Sequence, residues 1–184
     1  MDKRLVERTL EVTRINSGFD SKVLRVALDS SPIWGGGRVE DTFHLIGHAL
    51  AVVVTCAAVS VGCGKAEVIE QAKLQLVGGS SVKAALDIDW SSEVAQHEAL
   101  QQLLGEGQRT RQWLQGRVPK PAADDPIAEA LATLETVSSQ DLELEVRADG
   151  TRGIAKGTAK NRRISVEDSD MRHGRKSTSR LFNG

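Results

Sequence analysis

Apolar positions along this chain recur at helical spacing more often than they alternate. Leu5, Val6, Thr9, Leu10 and Val12 line up beside Lys3, Arg4, Glu7, Arg8 and Glu11, which predicts an amphipathic helix over residues 1–15. Asn16-Ser17-Gly18 stops it. Val23-Leu24-Arg25-Val26-Ala27-Leu28 holds five apolar residues in six and predicts a short buried strand, ended by Asp29 and broken by Ser30-Ser31-Pro32. Between Asp41 and Lys65 no residue is charged. That length invites a membrane-span reading, but the Ala and Val content, interrupted by His44, Gly47, His48, Thr55 and Ser60, favours a buried helix. Residues 65–77 predict a further helix with Val68, Ile69, Ala72, Leu76 and Val77 on one side, interrupted by Gly78-Gly79-Ser80-Ser81.

The second half continues in the same way. Asp87-Ile88-Asp89-Trp90 reads as the lead-in to a helix over about residues 92–116, started by Ser91 or Ser92 and marked by Val94, Leu100, Leu103, Leu104, Trp113 and Leu114. Residues 117–126 hold three prolines and two aspartates, a break. A helix begins again at Pro126, with Ile127, Ala130, Leu131, Leu134 and Val137 at helical spacing and Leu142 and Leu144 as a possible extension. Asp149-Gly150-Thr151 is a turn, residues 151–163 a basic surface loop, and Arg163-Ile164-Ser165-Val166 a short strand. Residues 168–179 are polar loop, and Leu181-Phe182 opens another strand.

Composition adds two constraints. The 184 residues suffice for one ordinary domain, and with 3% aromatics and no Tyr its core must be aliphatic. Net charge is −1, but unevenly spread: residues 1–86 carry 10 basic and 9 acidic side chains, residues 87–146 carry 4 and 12, and residues 147–184 carry 10 and 4. A basic final segment beside an acidic middle suits a chain that meets a polyanion locally. Cys56 and Cys63 lack a second pair that would make a zinc site, and read as free thiols in a reducing cytosol; no secretory leader is evident at Met1.

Candidate chemistry starts at Asp29. A carboxylate at the end of a buried strand fits a Mg²⁺ ligand, and it fits a turn cap as well. Trp34 and Arg38, around the triple glycine 35–37, suit either base stacking with phosphate contact or a flexible turn. His44 and His48 share a helix face, but no third metal ligand accompanies them, so surface or core histidines are favoured. Arg172, His173, Arg175 and Lys176 are the foremost phosphate-binding candidates; a solvated basic loop is the plain alternative.

Three stretches resemble the catalytic core of bacterial insertion-sequence transposases of the DDE type. They are Leu24-Arg25-Val26-Ala27-Leu28-Asp29-Ser30-Ser31-Pro32 with Trp34 to Phe43, then Gly78-Gly79-Ser80-Ser81 to Trp90, then Arg163-Ile164-Ser165-Val166 to Ser177, in the family's order. The resemblance implies an α+β, helix-rich chain: an incomplete ribonuclease H-like fold with a helical insertion after the first strand. On this division residues 1–40 carry the opening helix and first strand, 41–146 the helical region, and 147–184 a basic loop and short strand. It further implies Asp29 as catalytic residue and Mg²⁺ ligand, two Mg²⁺ ions for in-line attack on a DNA phosphodiester, and DNA contacts from Arg38, Arg172, His173, Arg175 and Lys176. The implied partners are insertion-sequence ends and a second or full-length transposase, with no membrane, in a cytoplasmic, nucleoid-associated setting.

The sequence departs from that pattern. The second Asp and the Glu of the family's triad have no match, and Asp168 and Asp170 precede the basic run. A single carboxylate does not hold two divalent cations, so the expectation is a remnant that cannot cleave DNA alone, with a non-enzymatic DNA- or transposase-binding role as the alternative. Helices of the 41–146 region closing into a bundle of their own would count against the fold expectation.

Overall fold

The computed structural model describes residues 40–118, 120–122, 124–157, 159, 161–177 and 180–183, with side chains to residue 172. The predicted helix over 1–15, the strand ending at Asp29, and the loop with Trp34 and Arg38 lie outside the described residues.

The uncharged stretch forms α1, Thr42–Val61. Asp41 caps it: Oδ1 accepts from the Phe43 and His44 N–H groups at 3.1 and 3.2 Å, satisfying donors that the first turn leaves free. Gly62 ends it with a left-handed φ of 74°, and Cys63 N–H reaches back to the Ala58 carbonyl at 2.9 Å. Helix α2 (Lys65–Gln71) and the one-turn α3 (Val82–Leu86) follow. The long α4 (Glu93–Gln115) starts from Ser92, whose Oγ accepts from Ala95 N–H. Helix α5 (Pro126–Ser139) starts from Asp125 with Pro126 in its first turn, where a missing N–H costs nothing.

Helix α1 is the hub. It packs most extensively on α5, and also on α2, α3 and α4. Half of its residues are buried, among them Leu45, Ile46, Leu50 and Val53, in one cluster with Val68, Leu100, Leu103, Ile127, Leu134 and Val137. It is long and apolar enough to cross a membrane by length and composition. Its buried side chains here pack among the other helices, the arrangement of a core helix, whereas Val59 and Val61 near its end are exposed.

The ribonuclease H-like expectation is corrected by this arrangement. Among the described residues the helices close around a shared core of their own, and no mixed sheet is present. Strand structure is confined to a two-stranded antiparallel hairpin, β1 (His173–Ser177) and β2 (Arg180–Asn183), and an isolated bridge between Leu142 and Ile154. The Leu181-Phe182 strand is found, and within the polar run before it residues 173–177 form a strand rather than a loop. Arg163 to Val166 forms no strand; Ile164 and Val166 are buried against the helices, with one backbone bond from Glu40 N–H to the Ile164 carbonyl at 2.9 Å.

Helix α2 stops at Gln71, short of residue 77, because a distant side chain takes over the backbone. Glu106 on α4 is fully buried and accepts from Gln75 N–H at 2.5 Å and Leu76 N–H at 3.1 Å. Residues 74–80 are thereby pinned as an irregular loop, with Leu74 and Leu76 still in the core. Leu142 and Leu144 do not extend α5; Leu142 pairs with Ile154 instead. There Asp141 accepts a forked pair from Arg162 (Nε to Oδ1 at 2.8 Å, Nη2 to Oδ2 at 2.7 Å) and a third bond from Thr42 Oγ at 2.7 Å. Both charged side chains are under a tenth exposed, so this group ties the start of α1 to the end of α5 and to the returning chain.

Candidate functional site

A cleft of about 590 Å³ opens between one face of α1, the pinned loop and the returning segment. Helical periodicity puts His44, Gly47, His48 and Ala51 on that face. Leu76, Val77, residues 79–82, Ser165, Glu167 and Glu40 complete its lining. Gly47 is what lets the walls meet: a Cβ there would sit 2.1 Å from Val82 Cγ2 and 2.9 Å from Val82 Cβ.

Two polar chains start from the histidines that line the cleft. Glu40 accepts from His48 Nδ1 with both carboxylate oxygens, at 3.0 and 3.1 Å. Asp41 is saturated more fully. Besides the two capping bonds on Oδ1, its Oδ2 takes His44 Nδ1 at 2.8 Å and Lys83 Nζ at 2.9 Å. Burial alone would raise the Asp41 carboxyl; hydrogen bonds from Lys83 and His44 outweigh it and hold the pKa at about 2. Lys83 is steadied by the Trp90 ring, 4.7 Å to the centroid, and Trp90 meets Phe43 edge-on at 5.0 Å. The far nitrogen of His44, Nε2, lies 3.4 Å from Ser81 Oγ.

The sequence-predicted residues fall elsewhere. Asp29 and Arg38 lie outside the described residues. The Arg172 guanidinium folds back onto its own turn, donating to the carbonyls of Ser169 and Met171. His173, Arg175 and Lys176 lie on β1, in register with β2: His173 opposite Asn183, Arg175 opposite Leu181, Ser177 opposite Arg180. Lys176 falls at the register shift between Arg175 and Ser177, a bulge that bends and twists a strand locally. Asp168 is a turn builder, with Oδ1 accepting from the N–H groups of Asp170 and Met171. Among the described residues no group of three His, Cys, Asp or Glu is placed to hold a metal.

Not all of the basic final segment is free to meet a polyanion. Arg162 is spent on Asp141, and Arg163 bonds the Ser165 and Val166 carbonyls and Thr133 Oγ. Arg147 pairs with Glu143 at 3.0 Å. Cys56 and Cys63 are free and half-buried; burial, then Asp125 and Glu129, push the Cys56 thiol up, which disfavours the reactive thiolate.

Sequence reasoning missed the Asp41–His44–Ser81 chain. Asp at a helix cap with His three residues on was a readable signal for its first half. Nothing in the sequence tied Ser81 to it across 37 positions. Comparison with protein families, with curated proteins and with solved structures found no match.

Proposed function

We propose that this chain binds DNA without cutting it, as a non-cleaving relative or remnant of DDE transposases. The observation that supports the reading is the hairpin. Its first strand follows directly on Arg172 and carries His173, Arg175 and Lys176, and its second begins at Arg180, so five basic or imidazole positions sit on one two-stranded ribbon and its lead-in. A two-stranded ribbon fits the major groove of duplex DNA, and cationic positions along it neutralise phosphates whatever the sequence. The guanidiniums of Arg147 and Arg162, by contrast, are paired with Glu143 and Asp141.

Fluorescence anisotropy with a labelled duplex tests it. Micromolar binding is expected for the native chain, and Arg175→Ala with Lys176→Ala is expected to weaken it by about tenfold or more near physiological salt. Equal binding by native and doubly substituted chains, or none by either, would overturn the reading. Added Mg²⁺ is expected to leave a supercoiled plasmid intact; nicking abolished by Asp29→Ala would contradict the non-cleaving half.

A further inference from the structure

At the cleft a hydrogen-bonded series runs that the proposed DNA binding does not use. Asp41 accepts four donors on its two oxygens, so it acts there only as an acceptor. The hydrogen between Asp41 and His44 therefore belongs to Nδ1 of the imidazole. In the neutral ring this leaves the lone pair on Nε2, the nitrogen that faces Ser81 Oγ at 3.4 Å. The hydroxyl proton then has an acceptor, and the acceptor has a carboxylate behind it to stabilise the imidazolium that forms. That is the division of labour by which serine hydrolases make a hydroxyl nucleophilic, and it is recognised by geometry rather than by sequence order. The 3.4 Å separation is long, as such contacts often are before substrate is bound.

Three further features fit. Ser81 makes no capping hydrogen bond to α3, so its hydroxyl is not committed to the backbone. The Lys83 ammonium holds Asp41 charged without touching the imidazole's outer nitrogen. The cleft is of a size that takes small organic ligands, and Ala51, Leu76, Val77 and Val82 give it an apolar side, whereas Glu40 and Glu167 disfavour anions.

We propose that Ser81 is a nucleophile, activated by His44 and oriented through Asp41, that hydrolyses neutral short-chain carboxylic esters in this cleft. Ser81 Oγ attacks the carbonyl carbon as its proton passes to His44 Nε2. The ester C–O bond then breaks and the departing alkoxide takes that proton, leaving an acyl-serine. Water attacks the acyl carbon, giving a proton to Nε2; the Oγ–C bond breaks, the acid leaves, and Oγ recovers the proton. The sum is ester plus water to acid plus alcohol.

The test is labelling of the full chain by a fluorophosphonate probe, read by peptide mass spectrometry, alongside turnover of p-nitrophenyl acetate. The probe is expected on Ser81, through loss of fluoride. Ser81→Ala is expected to abolish label and turnover, His44→Gln to slow both by about 10² or more, and Ser60→Ala, at an exposed position outside the cleft, to leave both within about twofold, with unchanged circular dichroism in each variant. No label on the folded native chain, label that persists in Ser81→Ala, or full labelling of His44→Gln would each overturn the proposal. DNA binding is read separately, so failure here leaves the hairpin reading standing and the reverse.

Discussion

Gly47→Ala should loosen the molecule where α1 meets α3 through a missing side chain. The added methyl would lie 2.1 Å from Val82 Cγ2 and 2.9 Å from Val82 Cβ. Ordinary carbon–carbon contact is about 3.5–4.0 Å. Rotating Val82 relieves the first clash but not the second, because Cβ does not move with χ1. Helix α3 must therefore shift. Overpacking costs about 1–3 kcal/mol, and a clash that only a backbone shift relieves belongs in the upper half of that range; replacing a mid-helix glycine by alanine returns about 1 kcal/mol. The net expectation is a loss of about 1–2 kcal/mol by urea unfolding, taking overpacking and propensity together. Gly47→Ala combined with Val82→Ala should lose less than the separate effects added, with a coupling of about 1 kcal/mol. The same shift carries Ser81 away from His44, so fluorophosphonate labelling should fall as well. A neutral or stabilised Gly47→Ala chain would refute the close-approach argument.

Other expectations follow from groups already described. Arg162→Ala strands the Asp141 carboxylate in a nearly closed site and should cost about 3–5 kcal/mol, measured by denaturant midpoint. Glu106→Ala orphans the Gln75 and Leu76 N–H groups; a loss of about 2–4 kcal/mol is expected, with faster hydrogen exchange at both amides, and unchanged exchange would refute the pinning of that loop. Asp41 has its pKa lowered from 3.8 to about 2, so the stability it contributes is present above pH 3.8 and is lost as pH falls toward 2. Asp41→Asn should flatten the acid limb of stability across that interval; an unchanged limb would contradict the assigned hydrogen bonds.

Helix starts were legible because they rest on local chemistry. Asp41, Ser92 and Asp125-Pro126 each supply an acceptor or a fixed φ at the place where a helix begins. Gly62 marked the end of α1 only in the sense that a left-handed residue was available there. What escaped the sequence is what depends on distant partners. The early stop of α2 comes from Glu106, and the burial of Arg162 from Asp141, 21 residues before it. The one-turn α3 is too short for periodicity to show. The expected mixed sheet came from resemblance over residues 24–32 and 163–177, beside short apolar runs read as strands, and at 163–166 burial against helices took the place of strand pairing. Of the candidate site, the shared face of His44 and His48 was readable; the serine that meets His44 was not.

The salt dependence of DNA affinity addresses the hairpin most directly. Each phosphate neutralised contributes about −0.9 to the slope of log K against log salt on duplex DNA. With Arg175 and Lys176 both on phosphates, their joint replacement by alanine should make the slope shallower by about 1.8. A slope that does not change between the two chains would place the contacts elsewhere and contradict the account.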